Sequence, residues 1–229
     1  MKTYKIIPSF LQRLVWLPTR LVFKFFCNLE IKGFENIKTE KNVIFAANHT
    51  SEMDPILVAT PLPFFSKHLP LFYTCREKDF YKNKKGLKKI IYGGNFFKAW
   101  GGHRVYVGIK DYEKALVHHI EILNDGGSVC IFPEGKKNID NQPLKAKGGV
   151  AFLAHKTQLP IVPVYINGAQ LTSFRDFFLR KKMVKITFGE PIYPKEIFGE
   201  KVVLNDSQND YETAASFVMD KIKRLSQLS

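Results

Sequence analysis

The chain has 229 residues, 45% of them hydrophobic and 24% charged, which is the apolar stock of a folded protein rather than of a solvated polymer. At roughly 100–200 residues per domain it makes one large domain, or a domain with a small appendage, and excludes repeat arrays and disulfide miniproteins. Lys and Arg number 35 against 21 Asp and Glu, and the resulting +14 attracts nucleic acid, an anionic membrane leaflet, or acidic small molecules and carrier proteins.

Residues 6–29 are strongly apolar, but Gln12, Arg13, Arg20 and Lys24 interrupt every run well short of the roughly 18 residues a spanning helix needs. Neither a transmembrane helix nor a cleaved leader is expected, the latter for want of a small-residue cleavage site. At 100° per residue, Ile7, Leu11, Leu14, Val15, Val22, Phe25, Phe26 and Leu29 share one side. Arg13, Arg20 and Lys24 take the other. Pro18 is expected to divide the segment into two short helices, with Pro8 tolerated in the first turn of the first. Two compatible readings follow: a helical pair docked on the core, and an interfacial anchor whose cations face lipid headgroups.

Beyond a polar link around Lys38–Asn42, short apolar runs alternate with helical stretches, the pattern of an α/β sheet. Strands are predicted at Val43–Ala47, Leu71–Thr74, Val129–Phe132, Ile161–Ile166 and Val184–Phe188. Helices are predicted at Pro55–Thr60, Lys78–Ile91, Lys110–Leu123, Gly149–Lys156 and from Asp210 to Leu228. Pro163 inside a strand suggests an edge or a bulge, and Gly148 and Gly149 suggest close helix–sheet packing. The basic runs Lys82–Lys89 and Arg180–Lys185 read as solvated faces. Cys27, Cys75 and Cys130 lie far apart, without metal-ligand or disulfide spacing, as suits a reducing compartment.

The informative stretch runs from Val43 to Pro55, where a buried-looking strand ends at His49 and a helix begins near Asp54-Pro55. Five residues apart, His49 and Asp54 stand about 140° around a regular helix and meet only if the intervening loop folds back. Folded back, the carboxylate fixes the imidazole tautomer and leaves the second nitrogen free to take a proton from a substrate hydroxyl. The competing reading is that Asp54 caps the helix while His49 is an ordinary loop histidine. No Gly-x-Ser-x-Gly elbow, Walker loop or dinucleotide fingerprint is present. A second strand runs into Pro133-Glu134-Gly135-Lys136-Lys137, which sets a carboxylate and two lysines in a tight turn suited to a polar, partly anionic group. The remaining histidines, His68, His103, His118, His119 and His155, read as surface or packing residues, His103 less securely.

These blocks resemble the glycerolipid acyltransferases of the lysophosphatidate (PlsC-like) superfamily. Asn48-His49-Thr50-Ser51-x-x-Asp54-Pro55 fits the Asn-His-x-x-x-x-Asp block, Phe132-Pro133-Glu134-Gly135 the Phe-Pro-Glu-Gly block, and Ile161-Val162-Pro163-Val164 a later proline-containing block. The resemblance spans roughly Leu29 to Pro191. It implies a mixed sheet flanked by helices, with residues 1–29 as amphipathic membrane-seating helices and 30–229 as the acyltransferase domain. The implied reaction moves a fatty acyl group from an acyl-thioester, acyl carrier protein or coenzyme A, to a hydroxyl of a lysolipid such as 1-acyl-glycerol-3-phosphate. His49 is then the base and Asp54 its partner, while Phe132, Pro133, Glu134, Gly135 and Lys136 bind the acceptor. Neither metal nor resident cofactor is required. The setting implied is peripheral, on the cytoplasmic face of an anionic membrane.

One block departs from the family pattern: the usual arginine position falls on Val107, with Arg104 three residues earlier. This leaves two expectations for the acceptor, lysophosphatidate held by Arg104 and nearby lysines, or a phosphate-free lysolipid such as lyso-ornithine lipid. From another class, a non-catalytic lipid-binding protein has no need of an oriented base. A nucleic-acid partner is not expected, because no recognisable module accompanies the charge.

Overall fold

The computed structural model describes residues 2–37, 40–75, 95–106, 108–109, 111–138, 144–170, 177, 179–181, 183–199 and 208–228. The helix expected at 78–91, the basic run 82–89 and Val107 lie outside the described residues.

Seven strands form one mixed sheet in the order β1-β7-β6-β2-β5-β3-β4, where β1 is Glu30–Lys32, β2 Ile44–Ala47, β3 Leu71–Cys75, β4 Gly102–Arg104, β5 Ser128–Ile131, β6 Ile161–Asn167 and β7 Lys185–Phe188. All neighbouring pairs are parallel except β6 with β7. The interior strands β2 and β5 are buried throughout, as the unbroken apolar run of β2 requires when both faces of a parallel sheet are covered. Their side chains alternate between two layers. Ile44, Ala46, Val129 and Ile131 face the helices Gly149–Thr157 and Gln208–Leu225. Phe45, Ala47, Cys130 and Phe132 face α2 (Trp16–Cys27) and α3 (Asp54–Ala59).

Three expectations are corrected here. Pro163 lies in β6, an interior strand between β2 and β7, not at an edge. Its carbonyl accepts from Gly189 N at 2.8 Å, just past the end of β7. The proline nitrogen shares that side, so the one bond its missing N–H forgoes falls at the last rung beside β7, where the pairing ends. The helix expected over 110–123 divides at Leu116 into Tyr112–Ala115 and Val117–Asn124, the first capped by the Asp111 carboxylate on Lys114 N. Gly148 serves helix–helix rather than helix–sheet packing: a Cβ there would stand 2.7 Å from the Cβ of Tyr211 on the C-terminal helix.

The N-terminal pair breaks at Val15, with α1 spanning Thr3–Leu14, so Pro8 is interior to α1 and Pro18 sits in the first turn of α2. An interior proline costs about 3 kcal/mol, and tertiary anchors offset it. Lys2 Nζ and Tyr4 Oη both donate to the Asp125 carboxylate, at 2.7 and 2.8 Å, and Lys5 Nζ donates to the Asp125 carbonyl. The pair is docked on the core, and of the cations read as facing outward Arg13 and Arg20 turn toward the protein while Lys24 stays exposed. Arg13 donates to Leu69 O and Arg20 to Thr60 O and Pro61 O. Trp16 Nε1 reaches Leu62 O, and buried Gln12 grips Leu71 O, Leu71 N and Trp100 O at 2.8–3.0 Å. Of the apolar stripe, Ile7, Leu14, Val22 and Phe25 are left outside, whereas Phe26 and Leu29 pack against the core. Gln12→Leu strips three backbone groups of their partner and is expected to cost about 2–4 kcal/mol. Urea unfolding measures it, and an unchanged midpoint would show that the clip carries no stability.

His68, His103 and His119 all report burial. Burial lowers His68 and His103 to about 4 and His119 to about 3, with neighbouring positive charge adding at His103 and His119. Their folded values lie below the ordinary histidine value, so the neutral fold keeps its full stability above about pH 6.5. As pH falls from there toward 4, the unfolded chain binds protons that the fold refuses. Stability then drops by up to about 1.4 kcal/mol per pH unit for each histidine. Denaturant midpoints should be level between pH 8 and 7 and decline between 6 and 4, and a level curve through pH 5 contradicts the burial.

Candidate active site

Parallel strands deliver their C-terminal ends to one sheet edge, where open α/β sheets place ligands. Because β2 and β5 are neighbours, the turns that follow them, 48–53 and 132–137, lie against each other. Asn48 secures the first turn to β6: its Nδ2 donates to Ile166 O at 2.9 Å and its Oδ1 accepts from Ile166 N at 2.7 Å. The chain then doubles back, so that His49 Nδ1 and Asp54 Oδ2 stand 2.9 Å apart.

Asp54 is fully buried and does not cap its own helix; α3 starts with Met53 at the cap position and no side-chain cap. The carboxylate points backward instead, and Oδ2 accepts from Thr50 N at 2.6 Å and Ser51 N at 2.8 Å as well as facing the imidazole. The Thr50 and Ser51 N–H groups of the loop before α3 thus hold the acid in place. The structure brings His49 and Asp54 together in the geometry of an acid-oriented imidazole. With Nδ1 committed to Asp54, Nε2 is the nitrogen available to a ligand.

The second turn holds the main chain of the first. Glu134 Oε1 accepts from His49 N at 3.1 Å, and Asn138 N donates to His49 O at 2.7 Å. Phe132 stacks on the imidazole with ring centroids 4.3 Å apart and planes 25° from parallel. Glu134 is 5% exposed, and its Oε2 is buried with no hydrogen-bond partner among the described residues. Burial raises the Glu134 carboxyl, and the bonds from His49 N and the Asn138 side chain pull the other way. Gly135 turns with φ +67°, which lets Lys147 pack over it. Lys136 is exposed, and Lys137 pairs with Glu52 at 3.0 Å.

Arg104 ends β4, on the same edge but three strands from β2, about 14 Å away at ordinary strand spacing. Phe132 to Gly135 are thus brought to His49, whereas Arg104 is not. Cys130 offers no rival nucleophile, since burial and then the Asp54 carboxylate push its thiol far upward. The sequence reading gave no role to Asn48 or Asn138. Asn48 carried a signal, its place beside His49 in a recognisable block, whereas nothing in the chain marks Asn138.

The protein-family model described as Acyltransferase matches residues 28–167. A 1-acyl-sn-glycerol-3-phosphate acyltransferase of Borreliella burgdorferi is 26% identical over 196 residues, covering 84% of this chain and 69% of the relative. One from Bacillus subtilis is 24% identical over 169 residues, covering 72% and 74%. The crystal structure of the 1-acyl-sn-glycerophosphate acyltransferase PlsC from Thermotoga maritima aligns over 99% of this chain and 84% of its own, at a TM-score of 0.64 and 23% identity, a likeness of fold.

Proposed function

The chain belongs to the Acyltransferase family, and from that premise we propose that it moves a fatty acyl group from an acyl-thioester to a hydroxyl of a lysolipid, 1-acyl-glycerol-3-phosphate, with His49 as the general base. The names of the curated relatives support the acceptor. The observation that carries the mechanism is the 2.9 Å contact of His49 Nδ1 with an Asp54 carboxylate already held by two loop N–H groups.

In this mechanism the acceptor hydroxyl oxygen attacks the thioester carbonyl carbon as His49 Nε2 takes its proton. The C–S bond then breaks, and the proton passes from Nε2 to the departing sulfur. Asp54 stabilises the imidazolium between those steps, and the positioned base contributes about 10²–10⁴ in rate. Glu134 and Asn138 fix the His49 main chain from both sides, so the ring keeps its aim. The enzyme sits on a membrane through the outward stripe of α1 and α2, where Ile7, Phe10, Leu14, Leu21 and Phe25 are exposed. No described helix is long and apolar enough to cross a membrane.

The test is acyl transfer by purified protein to a panel of lysolipids, including a phosphate-free one, with acyl carrier protein and coenzyme A donors side by side. Transfer to 1-acyl-glycerol-3-phosphate is the expected result. Transfer only to the phosphate-free acceptor overturns the acceptor assignment, and no transfer to any of them overturns the enzyme reading.

A further inference from the structure

The basic run that starts at Arg180, read in the sequence as a solvated face, is seated on α2. Phe177 stacks on Phe26 with ring centroids 5.0 Å apart, and both rings pack against the layer that holds Phe45 and Ala47. A few residues on, Val184 N donates to Cys27 O at 2.8 Å. The chain entering β7 is thus fastened at two points to the last turn of α2. The family match covers residues 28–167, so α2 and this segment both lie outside it.

Between the two anchors, apolar and cationic side chains are turned outward together. Arg180 adopts a left-handed φ of +56°, uncommon for a side chain of its size, and its N–H closes the turn on Phe177 O at 3.0 Å. Its guanidinium lies over the Phe25 ring, 4.3 Å from the centroid. This cation–π contact positions the charge and leaves guanidinium N–H groups to donate to an oxyanion. Leu179, Met183 and the Phe25 ring are exposed, as are Lys181 and Lys24. Among the described residues Lys24, Arg180 and Lys181 form no ion pair, whereas Lys32 and Lys185 on the neighbouring strands both pair with Glu30.

Such a surface suits an occupant that is apolar inside and anionic at its edge. An acidic protein segment would satisfy the cations and leave Leu179, Met183 and Phe25 in water. Continuity points the same way, because Phe25 belongs to the outward stripe of α1 and α2, and what covers that stripe reaches the turn beside it. The arginines of the pair are engaged elsewhere, Arg13 on Leu69 O and Arg20 on Thr60 O and Pro61 O. Arg180 and Lys181 supply the exposed charge that those two do not.

Resting on the membrane-seating reading above, we propose that turn 179–181, with Met183, is a second membrane contact that recognises anionic lipid. Leu179, Met183 and Phe25 enter the acyl boundary, while Arg180, Lys181 and Lys24 stay at headgroup level and bind lipid phosphates.

The test is cosedimentation with vesicles of phosphatidylcholine and with vesicles of equal parts phosphatidylcholine and phosphatidylglycerol. Wild-type protein is expected to bind both and to prefer the second. In Arg180→Gln with Lys181→Gln, affinity for the anionic vesicles is expected to fall about 20-fold, with affinity for the neutral ones held, because each cation at a negative leaflet contributes about fivefold. The control, Lys223→Gln with Arg224→Gln, removes the same charge from the C-terminal helix, which packs in the opposite layer. It is expected to lose about twofold or less. Leu179→Ser with Met183→Ser is expected to weaken binding to both kinds of vesicle about tenfold or more. Every substituted side chain is exposed, so urea midpoints should stay near wild type. An equal loss in the control reports net charge alone and overturns the proposal. So does a wild type with no lipid preference, or a Leu179 and Met183 variant that binds both vesicles unchanged; in each of these cases the α1 and α2 stripe still seats the protein. Wild-type protein that binds neither vesicle overturns the seating itself, and this contact with it.

Discussion

Replacing His49 with Ala is expected to lower kcat by about 10²–10⁴-fold, with donor and acceptor KM changed little and the melting temperature held. The expectation follows from where the ring sits. The side chain is only partly buried, about 20% exposed, so its loss opens space at a surface turn rather than a cavity in the core. The backbone around it remains gripped by Ile166, Glu134 and Asn138. Asp54→Asn should fall in the same range for a different reason. Asp54 Oδ2 serves three partners at once; an amide oxygen that keeps Thr50 N and Ser51 N has no negative charge to offer an imidazolium. Asp54→Asn should also lower stability, because a buried site built for a carboxylate then holds an NH2 group with no acceptor. Single-turnover rates with both variants, set beside their urea midpoints, separate the two effects. Wild-type-like turnover in His49→Ala removes the proposed base.

Glu134 gives the complementary comparison. Glu134→Gln retains an oxygen for His49 N and should keep most of kcat, whereas Glu134→Ala frees the His49 peptide and should lower kcat about tenfold or more. A variant pair that differs only in acceptor KM would make Glu134 a binding group and not a positioning one.

How far the sequence carried this structure depends on how local each cause was. The interior strands were legible because Val43–Ala47 and Val129–Phe132 are continuous apolar runs, and burial on both faces leaves such a run little alternative. The edge strands β1 and β4 were not, because three residues such as Glu30-Ile31-Lys32 or Gly102-His103-Arg104 carry no period and become strands only beside β7 and β3. The five-residue separation of His49 and Asp54 allowed a loop that folds back, but the hydrogen bonds that fold it come from Thr50 and Ser51 main chain, which composition does not show. Arg104 was grouped with the site by its closeness in a motif, and sheet order set it three strands away.

In the N-terminal pair Arg13 and Arg20 turn toward the protein where the sequence reading set them on the outward side, and a second large effect follows from that placement. The double variant Phe10→Glu with Phe25→Glu is expected to weaken binding to anionic vesicles by about 10²-fold or more, because each phenylalanine lost from the lipid side removes about 1.5–3 kcal/mol of burial. Phe10 is 65% exposed and Phe25 55%, so the fold should hardly register the change, and near-native urea midpoints are part of the expectation. Arg20→Ala should do the reverse. Its guanidinium spans Thr60 O and Pro61 O and lies over Trp16, so its loss should loosen the pair from the domain and lower stability while vesicle affinity changes little. Were the arginines headgroup ligands, Arg20→Ala would instead cost vesicle binding, steeply in low salt, with stability untouched. Cosedimentation with vesicles at two ionic strengths, read beside urea unfolding of both variants, decides between a pair that docks by its cations and offers its apolar stripe to lipid and one arranged the other way round.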